Sequence, residues 1–385
     1  MNKAEALRGK AAIIGLGQAG TGEMPGHSPL EILALSVKAA LDDCGLKLSD
    51  IDGLFTGSSY HFLPTVSVAE YLGIKPRFSD GSMIGGSTFV AHVLHAAMAL
   101  DAGLCDVALI AYGSNQRTAG GRLISMSEPH PFEQQYEPRH PITAYALAAA
   151  RHMHEYGTSR ENLADVAVAA RQWARLNPEA FAREPLTREE VLAARMISDP
   201  LSVRDCCLVT DGGGAVIMVR AERARDFPNA PVYFLGGATA LSHRSIAQMD
   251  DLTVSAAARS GPQAYAMAGL GPKDVDVLAL YDAFTINTIL FLEDLGFCPK
   301  GEGGRFVSEG HIAPGGALPV NTNGGGLSCV HPGMYGIFLV IEAARQLRGS
   351  CGDRQVEGAE TALVHGNGGT LSSQVTALLG TQATL

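Results

Sequence analysis

The chain has 385 residues, is 46% hydrophobic and only 18% charged, and carries a formal net charge of −10. That length exceeds one ordinary core and predicts about two domains or two fused halves. The acidic balance, with no basic stripe, argues against nucleic acid and anionic membrane as partners. Seven cysteines at 44, 105, 206, 207, 298, 329 and 351 include no Cys-x-x-Cys pair, which speaks against structural zinc and leaves no metal site in the reading. The apolar run near the N-terminus is too short for a secretion signal, and no run of 18 apolar residues occurs. The expectation is a cytoplasmic chain with reduced thiols.

In chain order, "AAIIGLG" (11–17) reads as a buried strand. It carries a formal G-x-G-x-x-G over Gly15 to Gly20. Dinucleotide binding needs a helix opening at those glycines. Here the next helix begins later, with Ser28 as N-cap and Pro29 in its first turn, and runs to about residue 44. A strand follows near 53–57. "SMIGGSTFV" (82–90) then leads into a helix ending near Ala102, and "CDVALIAYG" (105–113) is a strand. Strand–helix–strand alternation predicts a mostly parallel α/β sheet covered on both faces.

Residues 119–199, rich in Pro, His, Tyr and Arg, read as an inserted helical and loop region, and the alternation resumes at 205–219. Two internal echoes are the strongest architectural signal. "GLKLSDIDGL" (45–54) returns as "GLGPKDVDVL" (269–278), and "DVALIAYG" (106–113) as "ETALVHGN" (360–367). The predicted organisation is 1–118 with 200–222 as one half, 119–199 as the insertion and 229–385 as the second half.

Four glycine-rich segments end strands or open helices: "GGSTF" (85–89), "LYDAFT" (280–285), "NTNGGGLSCVHPGMYG" (321–336) and "LVHGNGG" (363–369). In parallel sheets ligands bind beyond the carboxyl ends of strands, where helix N-termini offer free N–H groups. Gly86, Ser87 and Gly368 are candidates for holding an oxyanion there. Ser87 and Thr88 read as caps or nucleophiles. His331 precedes a proline in such a loop, and Tyr281 with Asp282 closes a strand. His365 closes the matching late strand. Tyr335 stands beside His331 in sequence as a lesser candidate. His92 and His95, and Cys206, Cys207 and Cys329, read mainly as packed residues; Cys329 is also weighed as a reactive thiol.

Together these segments resemble the thiolase superfamily over nearly the whole chain, and most of all its sterol-carrier-type and lipid-transfer-type members. The resemblance implies two fused homologous α/β halves in a five-layered αβαβα arrangement, with a loop domain inserted in the first. "NTNGGGLSCVHPGMYG" resembles the thiolase Asn–Gly–Gly…His–Pro–x–Gly signature, "LVHGNGG" the late Cys–x–Gly–Gly–Gly loop, and "YDAF" the Asn–Glu–Ala–Phe segment. The departures are chemical. The slot of the nucleophilic cysteine falls on Gly86, the second cysteine corresponds to His365, and the oxyanion-hole asparagine to Tyr281; only His331 keeps its residue type. "YDAFTINTILFLEDLGFCPKGEG" (281–303) is similar to a run in the lipid-transfer-type aldolases that cleave steroid side chains as CoA thioesters.

The implied activity is non-covalent carbon–carbon cleavage of a 3-hydroxyacyl-CoA, a retro-aldol, with Tyr281 or His365 as base and His331 holding the enolate oxygen. Acyl transfer through another nucleophile, Ser87 or Cys329, and a non-catalytic acyl-CoA or lipid carrier are the alternatives. No bound cofactor is expected, only the coenzyme A thioester substrate. The expected partners are a second copy of the chain and a small protein with an OB-fold and zinc ribbon. Tyr136, His140 and Tyr145 in the insertion are expected to line the acyl pocket.

Overall fold

The computed structural model describes residues 7–119 and 131–385. Strand β1 (Ala11–Ala19) leads to helix α1 (Pro29–Cys44), then β2 (Gly53–Thr56), α2 (Pro64–Leu72), β3 (Phe78–Asp80), α3 (Thr88–Asp101) and β4 (Val107–Ser114). Ser28 caps α1 as expected. Its side chain accepts from the Glu31 N–H, and Glu31 reaches back to the Ser28 N–H, a reciprocal capping box. The glycines of β1 serve helix packing. A methyl group on Gly15 would lie 2.6 Å from the Ala40 carbonyl oxygen, and one on Gly17 would overlap the Ser36 carbonyl. So α1 lies directly on the backbone of β1, at the place where a dinucleotide fingerprint would have needed a helix start.

The 131–200 region is helical, with α4 (Ile142–Tyr156), α5 (Arg160–Arg175) and α6 (Arg188–Leu192) followed by a small hairpin of β5 (Met196–Ser198) and β6 (Leu201–Ser202). The main sheet resumes at β7 (Gly212–Arg220), later than expected, because Asp211 ends the preceding loop. Its carboxylate accepts from the backbone of Met24, Arg117 and Thr118 instead of joining a ladder. Then come β8 (Val232–Leu241), α7 (Ala257–Ala268), β9 (Val277–Leu280), α8 (Thr285–Asp294), α9 (Gly303–Ser308), α10 (Gly336–Leu347), β10 (Thr361–Gly368) and β11 (Ser373–Gly380).

Nine strands pair in the order β3-β2-β4-β7-β1-β8-β11-β10-β9, and five of the eight ladders are antiparallel, which corrects the expectation of a mostly parallel sheet. The join is thin: β1 meets β8 at only two registered positions, Ala12↔Tyr233 and Ile13↔Val232. Helices α3 and α10 touch strands on both sides of that join and each other, so they form the middle layer between two half-sheets. Their side chains are almost wholly buried, with Phe89, Val90 and Val93 on α3 and Ile337, Phe338 and Ile341 on α10 each at 1% exposure or less. Outside, α1 covers one half-sheet and α7 the other.

The sequence echoes have a structural cause. Asp52 accepts from the backbone N–H groups of Asp106 and Val107, fixing the start of β4; Asp276 does the same for Glu360 and Thr361 at the start of β10. Asp50 and Asp274 each close a turn three residues back, on Lys47 and Gly271. Even β3, parallel to β2, has a counterpart in the single parallel bridge of Val320 to Leu278.

Overpacking a closely fitted core contact costs about 1–3 kcal/mol. Gly17→Ala is therefore expected to lower stability by about that amount in urea unfolding, whereas Gly271→Ala, at φ −138° and with its methyl meeting only the Asp274 carboxylate at 3.8 Å, should cost less.

Candidate functional site

Two backbone turns meet face to face. The turn entering α3 carries Gly85 at φ 73°, and a methyl there would lie 2.7 Å from the Gly369 nitrogen and 2.9 Å from the Gly368 Cα. A methyl on Gly366 would lie 2.9 Å from the Ser87 Cα. Only hydrogen fits between these chains. At Gly86 the space of a side chain is taken by Tyr281: any Cβ would overlap the phenol ring and its oxygen.

Tyr281 follows β9, hydrogen-bonded from its own N–H to the His365 carbonyl. Its hydroxyl donates to the Gly333 carbonyl at 3.3 Å and accepts from the Tyr335 N–H at 3.1 Å. Burial pushes the phenol well above its ordinary range. Both bonds and the burial hold it as a protonated wall, which corrects the expectation that it acts as a base.

His331 stands edge-on to Tyr281, with ring centroids 5.6 Å apart, and stacks on Tyr335 at 6.0 Å. Tyr335 is fixed by its hydroxyl, which donates to Asn323 Oδ1 at 3.2 Å. Burial lowers the His331 pKa to about 4, so the ring is neutral at pH 7. Its Nε2 is buried without a partner in the protein. A buried polar atom left in that state costs stability unless a ligand or water meets it.

Asp282 lies in a concavity made by the π-helical turn Gly325–Cys329. Its Oδ1 accepts from the Gly326 N–H at 2.6 Å and its Oδ2 from the Leu327 N–H at 3.3 Å. Desolvation outweighs those bonds and raises its pKa to about 7.

Tyr281 thus stands at Gly86 with His331 and Tyr335 packed against its ring, while Asp282 sits in the turn at Gly325–Leu327. His365 is not among them. Side chains alternate along β10. Gly366 faces Ser87, just before α3, so His365 points to the other side of the strand. It is fully buried there against Phe291, with Nδ1 on Thr376 Oγ1 at 2.9 Å and Nε2 on Gln374 Oε1 at 2.8 Å. Both ring nitrogens are engaged, and burial lowers its pKa to about 4.

Ser87 is not a cap either. Its hydroxyl donates to the Ile84 carbonyl at 2.9 Å and meets the Ser373 hydroxyl at 2.7 Å. None of the contacts is an imidazole or carboxylate that would activate it. Thr88 accepts from the Ile84 N–H. All seven thiols are free. Burial raises those of Cys105, Cys206 and Cys298 to about 12, and pushes Cys207 and Cys329 well up as well. These are thiols, not thiolates, at neutral pH.

A cleft of about 830 Å3 opens at the glycine turns. Gly85, Gly368 and Gly369 close one side; Leu241 to Ile246, Ser373, Glu133 and His140 form others. Of the three expected liners, His140 alone lines it. Tyr136 is 78% exposed on the surface, in a single turn (Gln134–Tyr136) whose side chains meet no core. Tyr145 is buried behind the cleft, stacked on Phe284 at 4.4 Å, its hydroxyl donating to the Gly369 carbonyl and accepting from Asn367. Glu133 is a cleft residue that the sequence reading missed; nothing in a lone glutamate amid polar neighbours marked it.

The layered α/β fold, with a glycine-bounded cleft at strand ends, is of the thiolase type. The chain belongs to the thiolase superfamily. Residues 238–381 match the family described as Thiolase C-terminal domain-like. The chain is 36% identical over 386 residues to a 17-hydroxy-3-oxo-4-pregnene-20-carboxyl-CoA lyase of Mycobacterium tuberculosis, covering 95% of this chain and 98% of that protein. It is 35% identical over 379 residues to an acetyl-CoA acetyltransferase of Methanothermobacter thermautotrophicus, covering 93% and 96%. In three dimensions it is similar to the structure described as Ltp2-ChsH2(DUF35) aldolase, at TM-score 0.88 and 33% identity, over 98% of this chain and all of that one. No helix among the described residues is long and apolar enough to cross a membrane.

Gly86→Ala is expected to destabilise the wild-type chain far more than the Tyr281→Ala background, with a coupling of about 1 kcal/mol or more in a double-mutant cycle. Folded Asp282 keeps its proton to about pH 7, whereas an unfolded aspartate releases it near 4. The folded state binds more protons across that window, so the stability of the wild type relative to Asp282→Asn should fall as pH rises from about 4 to about 7 and then level off. Urea unfolding at several pH values measures it.

Proposed function

We propose that the chain cleaves a carbon–carbon bond in a 3-hydroxyacyl-CoA by a non-covalent retro-aldol. The observation that carries this is the filled slot at Gly86, where a phenol stands in the volume an acyl-accepting side chain would need. The raised thiols and the unactivated Ser87 point the same way. The substrate hydroxyl loses its proton, the bond between C2 and C3 breaks, and its electrons form the enolate of the shortened acyl-CoA. The Nε2–H of neutral His331, in the tautomer that carries its hydrogen there, and backbone N–H groups at Gly86 and Gly368 would hold the enolate oxygen, a role suited to preorganised donors in a dry site. Asp282 and Tyr335 would hold the loop and ring of His331. The cleft beside Gly85 would take the thioester, with no bound cofactor.

The named activity of the Mycobacterium tuberculosis relative supports the lyase reading, and the printed name of the aldolase structure supports a small partner of the DUF35 kind. A homodimer fits the free edge at β3 and the exposed Phe62, Leu63, Val66 and Tyr71 around α2. Solubility in the cytoplasm, with no nucleic acid or membrane partner, completes the reading.

Incubation with an acyl-CoA followed by intact-protein mass spectrometry should show no acyl adduct; an adduct would favour the acyl transfer named for the Methanothermobacter relative. His331→Ala is expected to lower kcat roughly 100-fold while KM changes little, measured by release of the carbonyl product.

A further inference from the structure

The turn that bounds the cleft is built on Gly368 and Gly369. Glycine accepts either orientation of the peptide that follows it, so the turn does not fix its own dipoles. We infer that Tyr145 and Asn367 are positioning residues, which lock the Gly368–Gly369 turn with its N–H groups left for the enolate through a one-way relay of buried hydrogen bonds. The inference rests on the lyase reading.

The direction of the relay follows from its last acceptor. A carbonyl oxygen only accepts, so the Tyr145 hydroxyl donates to Gly369 at 2.9 Å. That hydroxyl has one hydrogen, and it therefore accepts from Asn367 Nδ2 at 2.8 Å. Asn367 turns its Oδ1 to Gln374, whose Nε2 donates at 2.7 Å, and Gln374 turns its Oε1 to His365 Nε2 at 2.8 Å. His365 thus carries its hydrogen on Nε2. Its Nδ1 accepts from the Thr376 hydroxyl at 2.9 Å, and Thr376 accepts from Ser260, on α7, at 2.8 Å. All six side chains are 2% exposed or less, and all donate in one direction, from α7 to the turn. Reversing any inner member would set two lone pairs or two hydrogens against each other. Burial keeps the His365 ring neutral at pH 7 and raises the Tyr145 phenol to about 12, so neither loses its place in the relay.

The turn is gripped by its oxygens. Gly368 O accepts from the Ser372 N–H at 3.0 Å, Gly369 O from Tyr145, and Thr370 O from His243 Nε2 at 2.9 Å. The Gly369 N–H has no partner among the described residues, and its nitrogen would lie 2.7 Å from a methyl on Gly85. A flip of the peptide after Gly369 would release a carbonyl dipole beside a developing negative charge, the reverse of what an enolate needs. The two faces of β10 supply the two parts. Gly366 and Gly368 approach the turn before α3, and His365 and Asn367 carry the relay on the opposite face. Stability alone does not call for such a relay, because apolar partners of the same shape can replace a buried hydrogen-bonded pair at little cost.

The test measures cleavage of 3-hydroxy-3-phenylpropionyl-CoA to benzaldehyde and acetyl-CoA by absorbance, together with deuterium exchange into C2 of acetyl-CoA. The full chain is assayed alone and together with a DUF35-type partner protein. Tyr145→Phe, which keeps the ring on Phe284, is expected to lower kcat and C2 exchange roughly tenfold with KM within about threefold. Asn367→Leu should lower kcat less, because the Tyr145 hydroxyl can still donate to Gly369. The double variant should match Tyr145→Phe, since Asn367 acts only through that hydroxyl. Gly17→Ala, which disturbs the packing of α1 on β1, should lower stability with kcat unchanged, and so separates positioning from simple loss of stability. A Tyr145→Phe enzyme within about twofold of wild type in kcat, or losses that add in the double variant, overturns the positioning role and leaves the lyase reading standing. If Asn367→Leu does not fold, Tyr145→Phe alone decides. A wild-type enzyme that neither cleaves nor exchanges, or that accumulates an acyl adduct, overturns the lyase reading and this inference with it.

Discussion

The site rests on backbone meeting backbone. The turn entering α3 and the turn at the end of β10 lie so close at Gly85, Gly366 and Gly368 that no Cβ fits between them. Such closeness brings the ends of the two half-sheets together, and a ligand in the cleft at Gly85 therefore touches both halves. It also leaves no room for a side chain at Gly85 or Gly366. Tyr281 then fills what is left at Gly86, and its position is fixed by backbone groups of Gly333 and Tyr335. Steric exclusion thus precedes and limits the chemistry.

Desolvation sets the rest. Around Gly86 every titratable group is driven toward its neutral form: His331 is uncharged, Tyr281 and Tyr335 keep their protons, and even Asp282 is raised to about 7. A neutral, water-poor surround strengthens any fixed dipole aimed at a developing enolate. It gives little to a base, because a base must become charged.

Much of the architecture was legible because it is written in short-range hydrogen bonding. Ser28 and Glu31 announce α1, and the repeated pairs Asp50 with Asp52 and Asp274 with Asp276 announce equivalent turns. The convergence of Tyr281, His331 and Tyr335 was also legible, since each sits in a glycine-rich segment at a strand end. The failures share a cause. His365 was placed in the site because sequence spacing does not say which face of a strand a residue takes, and a shift of one reverses it. Tyr136 and Tyr145 were placed in the pocket by composition alone, while one lies on the surface and the other behind the wall.

By itself, the sequence determined the duplicated α/β plan, the lack of any cysteine between positions 44 and 105 and the glycine-rich loops at strand ends, because local propensity, capping and strand alternation act over a few residues. Only the tertiary structure decided that Tyr281 takes the space of a side chain at Gly86, that His365 turns away, and that Glu133 meets His140. Those outcomes depend on contacts between residues up to two hundred positions apart or on strand facing, and no local pattern encodes either.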